Sequence, residues 1–125
     1  MREEADNNWR QAQEDMETAR VLLETERFYA SVFFSQQAAE KALKALYIEQ
    51  KRELPKTHNL TALTRELSAP PEVLEAAQEL TPDYLTTRYP NAANAVPAEI
   101  YNHNSAQMHL KFANEIISWV KNILS

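Results

Sequence analysis

Along the N-terminal quarter of the chain, Trp9, Ala12, Met16, Ala19, Leu22 and Leu23 recur at spacings of three and four. That period places them on one stripe and predicts a helix from about Asp6 to Glu26. A second helix is predicted from about Phe28 to Gln50; the joint is so short that the two should pack as antiparallel neighbours. After the loop around Pro55, Thr57 or Asn59 is placed to cap a short helix over Leu60 to Leu67. Pro70 and Pro71 suit the first turn of the next helix, SAPPEVLEAAQEL, because first-turn amides lack intrahelical partners. Thr81 is read as the cap of a restart ended by Pro90, and residues 90 to 104 as the longest irregular stretch. The last helix, capped by Asn102 or Asn104, carries Ala106, His109, Ala113, Ile116, Ile117, Val120, Ile123 and Leu124 on one stripe and ends near Leu124. No strand alternation stands out. The expected fold is all-α, an up-and-down antiparallel bundle of three long helices with short accessory ones, in one domain over residues 1 to 125.

The second helix breaks the simple pattern at FFSQQAAEKALKAL, residues 33 to 46. At about 100° per residue, Phe33, Gln37, Lys41, Lys44 and Ile48 share one sector with Glu40 at its edge. Ala38, Ala39, Ala42, Leu43, Ala45 and Leu46 form the wider face, the natural core. The polar sector has two readings. It is a wet edge on which Glu40 and Lys44 form an i, i+4 pair worth ~0.3–0.5 kcal/mol; or it faces a partner or lines a site. Phe33 and Ile48 on this sector, with Phe112 and Trp119 flanking the last stripe, are the candidate surface for self-association.

Composition narrows the chemistry. The chain has no cysteine, which excludes disulfides, thiolate catalysis and Cys-ligated metal centres. It has no glycine, which excludes glycine-rich phosphate loops and dinucleotide fingerprints and leaves turns to Asn91, Asn94, Pro90 and Pro97. A net charge of −5 confines any nucleic-acid contact to a local patch. The start, MREEADNNWRQAQ, has no signal-like apolar segment and no run approaches the roughly 20 apolar residues of a membrane span, so a cytoplasmic protein is expected. Three scattered histidines offer no metal-ligand spacing, and neither a metal nor a cofactor is expected. His109, on the apolar stripe, is read as a satisfied core or interface histidine.

WRQAQEDMETARVLLETERFYASVFFSQQAAEKALKAL, then THNLTALTREL, then LTTRYPNA, then NSAQMHLKFANEIISWVKNIL cover most of the chain and resemble the HEPN domain family. The resemblance implies a helical bundle, usually a homodimer, that binds nucleotides or RNA and pairs with a minimal nucleotidyltransferase in a toxin–antitoxin or related two-component system. Many HEPN proteins resemble metal-independent ribonucleases with an Arg, four to six residues, then His: the guanidinium stabilises phosphate charge while the imidazole moves a ribose-hydroxyl proton. Here the one formal match is Arg52 to His58, in a loop after the second helix; at the family's usual place His103 has no Arg close before it, and Arg88 is too far upstream. Arg52, His58, Arg88 and His103 are therefore the catalytic candidates. For ligand binding the candidates are Lys41, Lys44, His58, Arg88 and Tyr89: two ammonium groups one turn apart, a histidine in the THNL motif, and a guanidinium beside an aromatic ring, able to stack a base and hold phosphate or to fasten the loop to the second helix. The third alternative is a structural or substrate-positioning subunit with no ligand of its own.

Overall fold

In the computed structural model, which describes residues 1–125, the acidic start of the chain turns directly into helix. Helix α1 (Glu3–Glu24) carries Glu3, Glu4 and Asp6 in its first turn, where the exposed amides and helix dipole favour negative charge. It ends in a Schellman turn: Arg27 N–H donates to Leu22 C=O and Glu26 N–H to Leu23 C=O. The left-handed residue of that turn is Glu26, at φ 63°, where glycine would be the usual choice. Ser68 serves the same purpose later, and Arg52 and Asn94 also take left-handed conformations. Of the residues expected to form turns, Asn94 does so, whereas Pro90 and Pro97 start helices and Asn91 lies inside one.

Helix α2 (Phe28–Lys51) runs back along α1. Contacts Arg2–Glu49, Asp15–Lys41 and Ala19–Ser31 show the antiparallel register. Helix α3 (Leu60–Glu66) is capped by Asn59, whose side chain accepts from Ala62 N–H, while Thr57 accepts from Asn59 N–H. Helix α4 (Pro71–Leu80) leads into α5 (Asp83–Thr86), and the stretch expected to be irregular holds two further single turns, α6 (Pro90–Ala93) and α7 (Pro97–Ile100). Both start with proline at the first position, whose fixed φ favours a helical turn. Thr81 is no N-cap: its hydroxyl donates back to Ala77 C=O, and it accepts from Thr61 N–H. Helix α8 (His103–Leu124) opens on a capping box in which Asn102 accepts from Ser105 N–H and Ser105 Oγ accepts from Asn102 N–H.

The core joins α1, α2, α3, α4 and α8. The alanines of α2 let its neighbours approach closely, and Ala38, Ala39, Ala42, Ala45, Leu43 and Leu46 are all buried, as the apolar face predicted. What the pattern did not predict is that no residue from Ser31 to Ile48 is exposed. Helix α2 is the central helix, covered by α1, α3, α5, α7 and α8. The wet-edge reading of its polar sector is therefore overturned. Ile48 is buried and Phe33 half-buried beneath Arg88, so neither supplies the free apolar patch expected for self-association. Phe112 and Trp119 pack against the core. No helix is long and apolar enough to cross a membrane.

Candidate functional site

Each polar group of the α2 sector has a partner, and Lys41 and Glu40 find theirs far along the chain. Lys41 pairs with the buried Asp15 of α1, which also accepts from Gln11 Nε2. Glu40 is 5% exposed and collects three donors or partners: Gln36 Nε2 at 2.9 Å, Lys44 Nζ at 2.9 Å and His58 Nδ1 at 2.8 Å. Gln37 extends the chain by donating to Gln36 Oε1. Burial alone would raise the Glu40 carboxyl; the hydrogen bonds from Lys44, Gln36 and His58, with the Lys44 charge, outweigh it and hold the group below its ordinary value. The carboxylate therefore stays ionised and fixes His58 through one ring nitrogen, leaving Nε2 on the other side of the ring.

His58 continues into an aromatic column. Its ring stacks on Tyr84 of α5 with centroids 4.2 Å apart and planes 13° from parallel. The guanidinium carbon of Arg88 lies 3.9 Å from the Tyr84 centroid and 4.4 Å from that of Phe33, and Arg88 donates to Tyr84 C=O. Two groups this close over one ring must take opposite faces, so Tyr84 separates His58 from Arg88. The RYP segment thus does fold over α2, with Arg88 as its fastening. The aromatic neighbour of Arg88 is Tyr84, one helical turn earlier, and the adjacent Tyr89 stands half-exposed with its side chain apart. Tyr84 was not singled out from the sequence; its spacing of four from Arg88 was the available signal.

A second cluster anchors this segment from behind. Asp83, buried at the start of α5, meets His109 Nδ1 of α8 and accepts from Tyr101 O–H at 3.0 Å; Thr86 Oγ1 lies 2.7 Å from the same phenol oxygen. Burial pushes the Asp83 carboxyl above its ordinary value despite the hydrogen bonds and charge of His109, and nearby Glu79 adds to the rise. Burial likewise raises the Tyr101 hydroxyl, with Thr86 opposing and Asp83 reinforcing. His109 is thus a satisfied histidine holding α5 to α8. Asp83 precedes Tyr84, so this anchor also sets where the column stands.

The structure brings His58, Arg88 and Lys44 into one connected cluster through Glu40 and Tyr84. It does not bring the other candidates there. Lys41 turns to α1, and Tyr89 projects outward. Arg52 is the exposed left-handed cap of α2, and His103 meets Phe28 edge-on at 6.0 Å. No three His, Asp or Glu side chains converge as metal ligands.

The family model of the HEPN domain matches residues 5–123. The chain belongs to the HEPN domain family. TT1696 from Thermus thermophilus is similar in structure, with 28% identity, a TM-score of 0.89, and coverage of 97% of this chain and 98% of that one. ST0689, described as an archaeal HEPN homologue, superposes with a TM-score of 0.83 at 29% identity, covering 99% and 100%. A HEPN domain protein of Thermotoga maritima shares the fold at 24% identity, with a TM-score of 0.74 over 94% and 97% of the chains. In sequence, this HEPN chain is 51% identical over 39 residues to the Methanocaldococcus jannaschii protein named Putative toxin MJ1304, a match spanning 31% of this chain and 26% of that relative.

Proposed function

We propose that this HEPN chain is a phosphate-binding module for a nucleotide or RNA, working as a homodimer beside a minimal nucleotidyltransferase partner in a toxin–antitoxin-like system. The observation that carries the binding part is the column itself. A guanidinium held by two aromatic rings stands one ring away from a carboxylate-fixed histidine, at the surface of an acidic protein. Arg88 is the proposed phosphate contact and His58 the second ligand group. Lys44 acts through Glu40, and Lys41 and Tyr89 contribute at most from the margins. The toxin name of the M. jannaschii relative and the family resemblance support the two-component setting. Leu85, Tyr89, Val96 and Ile100, exposed along the segment that carries Arg88, are the proposed contact surface for a second copy or the partner.

Titration of a fluorescent short RNA against wild type and Arg88→Gln tests the binding reading. Wild-type affinity should fall with salt on a shallow slope, because about 2–4 phosphates can be met at so small a cationic patch. Arg88→Gln should lose most of the binding without loss of helical signal; equal curves would count against the site. Sedimentation that finds only monomer at high micromolar concentration would count against the homodimer.

A ribonuclease is the second reading, and one observation favours it: His58 Nδ1 is held by a buried carboxylate, the arrangement that orients a general base, with Arg88 close by. The Arg52–His58 and Arg88–His103 combinations have no such support. RNA left intact by the protein in EDTA would sink this reading while leaving the binding module in place.

A further inference from the structure

Two aromatic rings already lie against Arg88, so the group best placed to hold phosphate is poorly placed to stack a base. Tyr84 has likewise spent both faces, one on Arg88 and one on His58. His58 is the end of the column. One face of its imidazole rests on Tyr84, and its side chain retains 48% of its full exposure. Its orientation does not depend on a ligand, because Glu40 holds Nδ1 and the stack holds the plane. Beside it opens a shallow cavity of about 210 Å³, lined by His58, Asn59, Thr81, Tyr84 and Leu85. Asn59 uses its side-chain oxygen to cap α3, and its amide N–H₂ has no partner within the chain. Leu85, half-exposed, gives the cavity an apolar wall.

We propose that His58 and this cavity form the base subsite of a single-stranded RNA site, with one base stacked on the open imidazole face and a neighbouring phosphate of the strand at Arg88. The inference rests on the phosphate reading given above and adds to it which part of the ligand each end of the column takes. A base on the open imidazole face lies two aromatic layers, His58 and Tyr84, from Arg88, so the phosphate held there belongs to a neighbouring nucleotide of the same strand. Stacking on a preset ring tolerates any base, since each has a π-face, so the ligand class is single-stranded RNA without strong sequence preference. A base stacked on an aromatic ring typically strengthens binding by about tenfold or more.

Calorimetry with a short oligoadenylate and with an abasic strand of the same length, which keeps sugars and phosphates but lacks the bases, tests the assignment. Wild type should bind the oligoadenylate about tenfold or more tightly than the abasic strand. Arg88→Gln should weaken both ligands alike. His58→Gln, which retains a hydrogen-bonding group for Glu40 but no ring, should bring the ratio close to one; His58→Phe, which retains the ring, should preserve the preference. Equal wild-type affinities for the two ligands, with both lost in Arg88→Gln, would overturn the base subsite and leave the phosphate site standing. Binding of neither ligand would overturn both.

Discussion

Replacing Glu40 by alanine removes the carboxylate that Gln36, Lys44 and His58 share. The residue is buried, and the Lys44 side chain is only 15% exposed, so the ammonium loses its counter-charge where water reaches it poorly. Breaking one side of such a pair typically costs about 3–5 kcal/mol, because the remaining charge stays desolvated. An i, i+4 pair on an exposed helix surface would cost about 0.3–0.5 kcal/mol. The two descriptions of α2 therefore differ roughly tenfold in energy for one substitution. With a urea m-value of about 2 kcal/mol per molar, the buried cluster predicts a midpoint lowered by roughly 1.5–2.5 M at unchanged slope. Leu43→Ala, which leaves a cavity in the core, provides a scale at about 2–5 kcal/mol. The double variant Glu40→Ala with Lys44→Ala should recover part of the loss, since it removes the stranded charge. A Glu40→Ala midpoint within about 0.3 M of wild type would refute the buried cluster and restore α2 to a solvated edge.

Four further outcomes follow from the same structure. Because the folded Glu40 carboxyl lies below its ordinary 4.5, its contribution is present above that pH and lost as pH falls through the lower folded value; Glu40→Gln should flatten this acid limb of a stability–pH profile. Asp83, raised above its ordinary 3.8, acts in the opposite sense and loses its contribution as pH rises through the folded value, so Asp83→Asn should not reproduce the Glu40→Gln profile. Ser35 Oγ is buried with no hydrogen-bond partner, so Ser35→Ala should be neutral or stabilising by up to about 1 kcal/mol in thermal melts. Asn102→Ala removes half of the α8 capping box and should cost about 0.5–2 kcal/mol, read as a lower denaturant midpoint.

The long helices were legible because their signal is local. The stripes of α1 and α8 repeat every three or four residues, and Asn59 and Asn102 announce helix starts within three residues of the amides they cap. The polar sector of α2 was not legible for the opposite reason. Lys41 finds Asp15 across 26 residues and Glu40 finds His58 across 18, and no local pattern in α2 encodes either meeting. The edge and site readings of the mixed sector both stayed open because its covering elements, α5 and the RYP segment, come much later in the chain. His58 and Arg88 were visible as candidates from their residue types and motifs. That they share Tyr84 was hidden, although the four-residue step from Tyr84 to Arg88 carried half of it. The single turns at Pro90 and Pro97 were also within reach, since proline at a first helical position marks a start as readily as a stop.

The cluster of His58, Tyr84 and Arg88 is the proposed meeting point of this HEPN chain with RNA. Side-chain resonances of these residues, followed by NMR as a short oligoadenylate is added, report binding there residue by residue. The proposed site requires that the His58 imidazole, the Tyr84 ring and the Arg88 guanidinium shift first and saturate together, while Arg52 and His103 stay still. Shifts centred elsewhere would contradict it, for example in the groove between α1 and α8 lined by Met16, Arg20, Met108 and Lys111.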